Sequence, residues 1–305
     1  MKVIRPVAVT AAMLISSTVA EPSGSDPAAW NAATAYAVGD LAHRVATHRV
    51  YRRLVAGTTA TAPENDLTGT APNWADYAPT NRWAMFDDET GSQSAGASPL
   101  TVVVDPGIVN GLALIEVVAT SATVTMTDGA GGPTVYSRAV DLVLSVVSDW
   151  YAYFFEPFSQ RATVVLLDLP PYAAGRITVS LAGGGTLKLG GLIVGTQYYV
   201  GEAMHGATAG IRDYSRKRTD ENSGITTLQR GRYARIMRVP LRVLAGASNA
   251  VRSLLSDLRS TPCMWIGDDT GDIEALSVFG WMKEFFLNVE FRDFHAYSIE
   301  IEGMT

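Results

Sequence analysis

The chain has 305 residues, of which 47% are hydrophobic and 18% are charged, so it can bury sizeable cores and is not a disordered polymer. Its net charge of -6 argues against a dedicated nucleic-acid-binding protein, which needs a basic face to displace counterions from the phosphates. A single cysteine, Cys263, excludes an internal disulfide bond, and its apolar neighbours indicate a buried core residue.

Residues 1–27 are predicted to form an extended N-terminal arm that ends in a cluster of proline, glycine, serine and aspartate. The mildly apolar run 7–19 follows Lys2 and Arg5 and is similar to a signal peptide, but Pro6 and several hydroxyl residues dilute it. We therefore interpret the segment as an arm that docks on a neighbour or stays loose. No later stretch approaches the ~18 uninterrupted apolar residues of a membrane span.

Residues 28–82 are predicted to form a small β module. Two short strand-like runs flank His48 between residues 41 and 55, and a polar loop occupies residues 58–73. A module of this size has little core, so aromatic side chains must supply most of its buried surface.

Residues 83–200 are predicted to form one all-β domain, because short apolar runs alternate with turn residues. The runs are 100–104, 111–118, 122–127, 134–140, 162–169, 175–182 and 186–194. No convincing amphipathic helix interrupts them. Two packed sheets, as in a β-sandwich or jelly roll, would bury the apolar faces of these strands.

Residues 201–305 are predicted to form an α+β domain. The polar, charged segment 209–232 is expected to be a loop or an extended insertion. The elements expected after it are a strand over 233–243, a helix whose apolar positions run from Ala247 to Leu258, and strands over 263–266, 275–289 and 294–301. The chain as a whole is therefore predicted to be mainly β.

The sequence contains no recognised catalytic signature. It lacks a G-x-S-x-G elbow, a P-loop, a dinucleotide fingerprint and an H-E-x-x-H motif, so we expect no enzyme activity, no catalytic residues and no cofactor. The carboxylates that are candidate ligands of a hard cation are Asp87 and Asp88, and Asp268, Asp269 and Asp272. The second group lacks the closing glutamate of an EF-hand loop, so solvated acidic turns are preferred and no metal site is predicted.

The small module carries a distinctive set of aromatic and turn residues, which are Trp30, Tyr36, Gly39, Asp40, Tyr51 and Trp74. With these residues the segment resembles the small chitin- and cellulose-binding modules of bacterial glycosidases. The resemblance implies a carbohydrate-binding surface of exposed aromatic rings, formed by Trp30, Tyr36, Trp74 and Tyr77. Where that family usually carries an aromatic pair, this chain has Arg52 and Arg53. The alternative is that these aromatic residues form the core of the module.

A second resemblance spans most of the chain. The motifs that carry it are NRWAMFDD at 81–88, PGIVN at 106–110, DWYAYFFEPF at 149–158 and DYSRK at 213–217. They resemble a signature of tail proteins from siphophages and their prophages. The resemblance implies a structural minor tail protein, located at the tail tip or baseplate of the virion. The partners it implies are other copies of the chain in a threefold or sixfold ring, tail-tube, hub or fibre proteins, and a host-surface glycan. The 83–200 domain also resembles galactose-binding jelly rolls.

A basic stretch stands out in this acidic protein. The residues predicted to form an assembly face are Arg212, Arg216, Lys217, Arg218, Arg230 and Arg232. Charge on such a face sets the choice and register of a partner. A solvated polar loop is an equally good interpretation, and a nucleic-acid contact is weakened by the interleaved Asp213, Asp220 and Glu221.

Three functions therefore stand at the level of sequence. The preferred one is a tail-tip scaffold whose residues 201–305 form the ring. The second, compatible with the first, is a carbohydrate-binding adhesin that acts through residues 28–82. The third is a glycan-degrading enzyme, but the long β-helix repeats of polysaccharide-cleaving tail spikes are not visible in the sequence.

Overall fold

A computed structural model gives the fold and describes residues 1–144, 150–155, 159–219, 224–268, 273–289 and 291–304. Strands hold 48% of the residues and helices 9%, which confirms the prediction of a mainly β protein. Of the predicted acidic positions, Asp220, Glu221, Asp269 and Asp272 lie outside the described residues. The described helices are all too short or too polar to cross a bilayer.

The first half of the chain consists of short strands, which are followed by one short helix of six residues. In chain order they are β1 (Lys2–Pro6), β2 (Leu14–Ser17), β3 (Leu41–Arg44), β4 (Arg49–Arg53), β5 (Trp74–Pro79), β6 (Ser94–Gly96), β7 (Leu100–Val104), β8 (Gly111–Ile115), β9 (Ser121–Asp128), β10 (Thr134–Asp141) and helix α1 (Trp150–Phe155). Turns of 3-10 helix lie at Pro63–Asn65 and Ala84–Phe86.

The second half contains the longest strands. In chain order its elements are β11 (Val164–Leu166), β12 (Gly175–Ala182), β13 (Leu187–Leu189), β14 (Gly191–Tyr199), β15 (Glu202–Ala203), β16 (Thr208–Asp213), β17 (Arg216–Thr219), β18 (Thr226–Gln229), β19 (Tyr233–Leu244), helix α2 (Ser248–Asp257), β20 (Cys263–Ile266), β21 (Ser277–Asn288) and β22 (Phe294–Gly303). Turns of 3-10 helix lie at Ala245–Ala247 and Glu274–Leu276.

The small module is an antiparallel sheet of β3, β4 and β5. A tight turn joins β3 to β4, and His48 in this turn has a φ of 58°, in the left-handed region. The buried core of the module consists of Tyr36, Ala42, Tyr51 and Trp74. As expected for a module of this size, aromatic side chains supply most of the buried surface.

The predicted β-sandwich is present. A second sheet, with strand order β10-β9-β12-β7-β2, packs its inner face on the part of the large sheet that contains β11, β8 and β14. Strands β9 and β12 alternate between fully buried and more exposed residues, because one face of each lies on the core and the other faces outward. The core between the two sheets includes Leu100, Leu112, Leu114, Val124, Val179 and Val194.

The large sheet continues from the sandwich into the C-terminal part of the chain. Its strand order is β11-β8-β14-β1-β20-β21-β22-β19-β15, and β16 also pairs with β19. Helix α2 packs on this sheet through Val251 and Leu255, which with Leu258, the residue after the helix, belong to one buried cluster with the inward side chains of β19 and β22. The predicted order of strand, helix, strand and terminal hairpin is confirmed by β19, α2, β20 and the β21–β22 pair.

The N-terminal segment differs from the predicted arm. Strand β1 lies between β14 and β20 and pairs with both of them, so it joins the sandwich to the C-terminal strands. Val3 packs in the α2-side cluster and Ile4 in a cluster on the opposite face, and both are fully buried. The amine of Met1 donates a hydrogen bond of 2.6 Å to the carbonyl oxygen of Gly201. A strand in the middle of this sheet is buried on both faces, and β1 carries apolar side chains on both. The segment therefore forms a central strand instead of the predicted loose arm.

Two further predictions need correction. Helix α1 interrupts the stretch that was expected to contain strands only. The segment 209–232, expected to be a loop or insertion, contains β16, β17 and β18. Neither segment offers a long period of buried positions to predict from: α1 has only six residues, and β16 to β18 expose nearly all of their side chains.

Candidate functional site

The small module buries two of the four aromatic residues predicted to bind carbohydrate. Trp74 is fully buried at the start of β5, and Tyr36 packs edge-on against it with ring centroids 5.0 Å apart. A stacking platform needs an exposed ring face, which neither residue has. The prediction is corrected for these two residues, which form the core of the module.

The other two aromatic residues are more accessible, but arginine side chains lie over both rings. The guanidinium carbon of Arg44 lies 5.1 Å from the ring centroid of Trp30, and that of Arg52 lies 5.8 Å from the ring centroid of Tyr77. These distances are those of cation–π contacts. The chain's own cations therefore occupy one face of each ring.

Arg53 stands where the resemblance leads us to expect an aromatic pair. Its side chain is buried and its guanidinium carbon lies 5.0 Å from the ring centroid of Trp74. Its Nε and Nη1 atoms are buried without a hydrogen-bond partner among the described residues. Arg53 thus packs inward against the core instead of presenting a sugar-binding surface.

Two residues of the predicted assembly face are engaged within the chain. The Nη1 atom of Arg212 lies 2.7 Å from the carboxylate of Glu302, which also accepts a 2.7 Å hydrogen bond from the hydroxyl of Tyr214. Hydrogen bonds from Tyr214 and Arg212 lower the pKa of Glu302 below its ordinary value. Arg232 is ion-paired with Glu89 at 3.3 Å. A partner would have to compete with these contacts.

Three other predicted residues lie on what we term the basic hairpin, the paired strands β17 (Arg216–Thr219) and β18 (Thr226–Gln229). Among the described residues β17 pairs only with β18, and every residue of both strands is exposed. Arg216 and Arg218 share one face, while Lys217 pairs with Leu228, which is 75% exposed, on the other. A two-stranded hairpin without cover is only marginally stable in water.

Arg230, the last predicted residue, lines a cleft between the sandwich and the C-terminal strands. The cleft has a volume of about 420 Å³ and an apolar floor that includes Ile115 and Phe279. In the same cleft Arg235 is ion-paired with Glu116 at 3.0 Å. The structure thus separates the six predicted residues into intrachain ion pairs, an exposed hairpin and an internal cleft.

Helix α1 carries exposed aromatic residues that sequence reasoning did not assign to a site. Trp150 is 79% exposed, and Tyr151 and Phe154 are exposed to similar degrees. The rings of Trp150 and Phe154 lie on one face of the helix, at positions i and i+4, with centroids 6.3 Å apart. The aromatic run at 150–155 was visible in the sequence, but it was interpreted only as part of the tail-protein motif at 149–158.

An apolar groove runs between helix α2 and the ends of β14 and β19. Its volume is about 710 Å³, and its walls include Tyr198, Tyr199, Val243, Leu244, Ala250 and Leu254. Its lining also includes two basic and two acidic residues, Arg5, Arg242, Glu202 and Asp257, and Arg242 is ion-paired with Glu202 at 3.7 Å. Ala250 and Leu244 are exposed, so the groove is open to solvent along α2.

A third apolar surface lies at the end of β21 and β22, which we term the apolar sheet end. Phe286, Leu287, Val289 and Phe291 are exposed there, and Leu244 of the neighbouring β19 is also exposed. Phe291 stacks on Phe294 with ring centroids 4.4 Å apart. Several large apolar side chains exposed near one another often mark an interaction site in a soluble protein.

Burial perturbs two titratable groups that lie apart from these surfaces, Cys263 and Asp87. Burial raises the pKa of the Cys263 thiol to about 12, so the thiol stays protonated and unreactive at neutral pH. Burial also raises the pKa of Asp87 to about 6, although its carboxylate accepts a 2.6 Å hydrogen bond from Ser92. Within the described ranges, no three histidine, cysteine, aspartate or glutamate side chains converge on a common point that could hold a metal ion.

Comparison of the chain with protein-family models, curated proteins and solved structures finds no match. A functional inference therefore depends on the residues and surfaces of this chain.

Proposed function

We propose that the protein is a structural subunit of a phage tail tip or baseplate, which assembles with further copies of itself into a ring. The observation that carries the proposal is the amount of large apolar surface that the chain leaves uncovered. It lies on helix α1, on the basic hairpin and on the apolar sheet end. Soluble monomers rarely expose several such patches, whereas subunits of assemblies bury them against their neighbours.

The positions of these surfaces favour a head-to-tail contact over a twofold one. Helix α1 lies between β10 and β11, which are edge strands of the two sheets, whereas the basic hairpin follows the opposite edge of the large sheet. Different surfaces that meet in a head-to-tail contact generate a closed ring when the rotation between subunits closes. The tail-protein motifs at 81–88 and 149–158 are the sequence support for placing such a ring in a virion.

Other functions have less support from the geometry. Of the four residues predicted to bind carbohydrate, Trp74 and Tyr36 are buried in the core of the small module. Arginine side chains lie over the rings of the other two, Trp30 and Tyr77. In the cleft between the sandwich and the C-terminal strands, Arg235 and Glu116 neutralise each other. Assembly through the exposed apolar surfaces does not depend on these aromatic rings or on the Arg235–Glu116 pair.

The proposal is tested by the oligomeric state of the full chain and by its location. Sedimentation velocity at increasing concentration should show a discrete assembly of at least three copies, and antibodies to the chain should label the tail tip of the virion that encodes it. A chain that stays monomeric up to about 100 µM, together with its absence from purified virions, would overturn the proposal.

A further inference from the structure

The cleft between the sandwich and the C-terminal strands is formed by several parts of the chain that hydrogen bonds hold together. The hydroxyl of Thr90 donates a 2.9 Å hydrogen bond to the carbonyl oxygen of Met304, and Nε2 of Gln93 donates a 3.4 Å bond to the carbonyl oxygen of Glu116. All four residues line the cleft, whose volume is about 420 Å³. Pockets for small molecules are usually largely formed before binding and occupy ~300–1,000 Å³. The cleft therefore has the size and the fixed walls of a small-molecule site.

The lining of the cleft is basic although the protein as a whole is acidic. Arg230, Arg232 and Arg235 line it, and the one acidic residue of its described lining is Glu116. Glu116 is ion-paired with Arg235 at 3.0 Å, so the charge of Arg235 is balanced inside the cleft. The charge of Arg230 has no such balance among the lining residues.

Arg230 is the cation that the cleft leaves most available to a ligand. It is exposed and forms no ion pair with another described residue, although Asp213, outside the cleft, attracts it electrostatically. The carboxylate of Asp213 is engaged by Ser215, whose hydroxyl donates a 2.6 Å hydrogen bond to it. Arg232 is ion-paired with Glu89 at 3.3 Å. Water screens the attraction between exposed charges, so an anionic group inside the cleft can compete for Arg230.

The floor of the cleft combines apolar surface with a polar group that lacks a partner. Ile115 and Phe279 supply the apolar surface, and both are buried. Thr163 also lines the cleft, is 5% exposed, and has a hydroxyl without a hydrogen-bond partner among the described residues. A buried hydroxyl without a partner destabilises the folded state, and a ligand atom that accepts its hydrogen bond removes this penalty. An apolar body with a nearby acceptor atom therefore suits the floor.

Glu116 occupies its place in the lining in a strained backbone conformation. Its φ is 50°, in the left-handed region that residues other than glycine rarely adopt. Glycine would adopt this conformation without strain, but it has no carboxylate to pair with Arg235. Residues held in such conformations cluster at ligand sites. Glu116 thus sets how much positive charge the cleft presents, which makes it an informative residue to substitute.

We propose that the cleft binds a small amphipathic anion, which is a molecule with a carboxylate or phosphate group on an aromatic or aliphatic body. The anionic group lies at Arg230, and the apolar body lies on Ile115 and Phe279. Arginine forms charge-assisted hydrogen bonds with carboxylates and with phosphates, so the two kinds of ligand share the same chemistry of recognition. The inference goes beyond the proposed assembly function and does not depend on it.

Isothermal titration calorimetry of the full chain with 2-naphthoate and 2-naphthyl phosphate tests the site. One molecule of each anion should bind per chain, and neutral 2-naphthol should bind at least about tenfold more weakly, because it lacks the charge-assisted hydrogen bonds. Inorganic phosphate alone should also bind at least about tenfold more weakly, because it leaves the apolar floor uncovered. The naphthyl anion that binds more tightly identifies the acid group that the cleft prefers.

Two substitutions in the lining should change the affinity in opposite directions. Arg230→Glu should raise the dissociation constant of both naphthyl anions about tenfold or more. Glu116→Gln should lower it about threefold or more, because it removes the carboxylate that competes with the ligand for Arg235 and keeps a side chain of the same size. Damage to the fold does not explain tighter binding, so the second variant remains informative even if the first is unstable.

The matched controls carry the same changes of charge outside the cleft. Arg216→Glu lies on the exposed basic hairpin, and Glu284→Gln lies at an exposed position of β21. Neither should change the dissociation constants by more than about twofold, because water screens charges at this distance from the ligand.

Three results would overturn the inference. The first is that neither naphthyl anion binds with a dissociation constant below about 5 mM. The second is that Glu116→Gln does not tighten the binding, or that a stably folded Arg230→Glu does not weaken it. The third is that the controls change the affinity as much as the lining variants, which would place the binding on another surface. All of these are measured whether the chain is a monomer or an assembly, so a failure here leaves the proposed function untouched.

Discussion

Trp74 and Tyr77 lie three residues apart on β5 and have opposite environments. Trp74 is fully buried between Tyr36 and Arg53, whereas Tyr77 is exposed under Arg52. We expect Trp74→Ala to lower the free energy of unfolding of the small module by about 3–5 kcal/mol, because it leaves a cavity in a small core. Tyr77→Ala should change it by less than about 0.5 kcal/mol.

Urea denaturation followed by circular dichroism measures both effects. Tyr77→Ala is the matched control, since it removes an aromatic ring from the same strand. Equal effects of the two substitutions would contradict the assignment of Trp74 to the core.

Glu300 is the residue whose charge most clearly supports the C-terminal sheet. Its side chain is 5% exposed, and it accepts hydrogen bonds from Lys283 at 2.9 Å and from Arg238 at 2.8 Å. These bonds lower the pKa of Glu300 below its ordinary value of 4.5, although burial opposes them. The charged form therefore stabilises the folded state above about pH 4.5, and this contribution is lost as the pH falls through the lower folded pKa.

The measurement is the urea midpoint between pH 6 and pH 3. The wild type should lose stability on acidification more steeply than Glu300→Gln, which lacks the titrating group. Glu284→Gln is the matched control, because Glu284 is exposed and directly opposite Glu300 in the register of β21 and β22. If Glu300→Gln and Glu284→Gln follow the same pH profile as the wild type, the ion pairs of Glu300 contribute no pH-dependent stability.

At the scale of elements, we expect the basic hairpin to be the least stable segment of the free subunit. Its strands pair only with each other among the described residues, and β17 carries three adjacent trypsin sites at Arg216, Lys217 and Arg218. We expect limited trypsin digestion of the free subunit to begin there, because exposed and marginally stable backbone opens locally. In the assembled particle the same sites should be cut at least tenfold more slowly.

Arg238 provides the internal comparison for this digestion. It lies on β19, whose backbone is paired with both β16 and β22, so it should resist trypsin in the free and assembled states alike. Mass spectrometry of the early fragments identifies the cleavage sites. Equal cleavage of the hairpin before and after assembly would mean that it is not part of the interface.

Individual elements differ in how well the sequence predicted them. Strands with one buried face, such as β7 and β12, were placed at the residues where the structure has them, and so was the amphipathic helix α2. Their alternating or helical periodicity reflects a local packing requirement that the sequence records directly. An exposed strand such as β17 has no such requirement, and helix α1 has only six residues, so neither sequence contains a period that could be recognised.

At the scale of the whole molecule, β1 joins the sandwich and the C-terminal strands into one sheet. Ile4 is fully buried and pairs with Gln197 of β14 and Met264 of β20. We expect Ile4→Ala to reduce amide-exchange protection in β14 and in β20 together, by about 2–5 kcal/mol, because the two parts share this strand. Hydrogen exchange with mass spectrometry resolves the two regions.

Ile15→Ala on β2 is the control for this substitution. Ile15 is exposed, and β2 is an edge strand of the second sheet, so its loss should affect protection only locally. A loss of protection in Ile4→Ala that stays within β1 would show that the two parts unfold independently of the strand that joins them.

The sequence by itself determined the mainly β class, the amphipathic α2 and the sandwich strands. These features follow from residue period and composition within short segments, which local burial imposes on the chain. Only the tertiary structure decided that β1 lies between two distant strands, that Trp74 faces inward, and that an apolar groove lies beside α2 while aromatic rings project from α1. Each of these depends on contacts between residues far apart in sequence, and no local pattern specifies which remote segment a strand, a ring or a groove will meet.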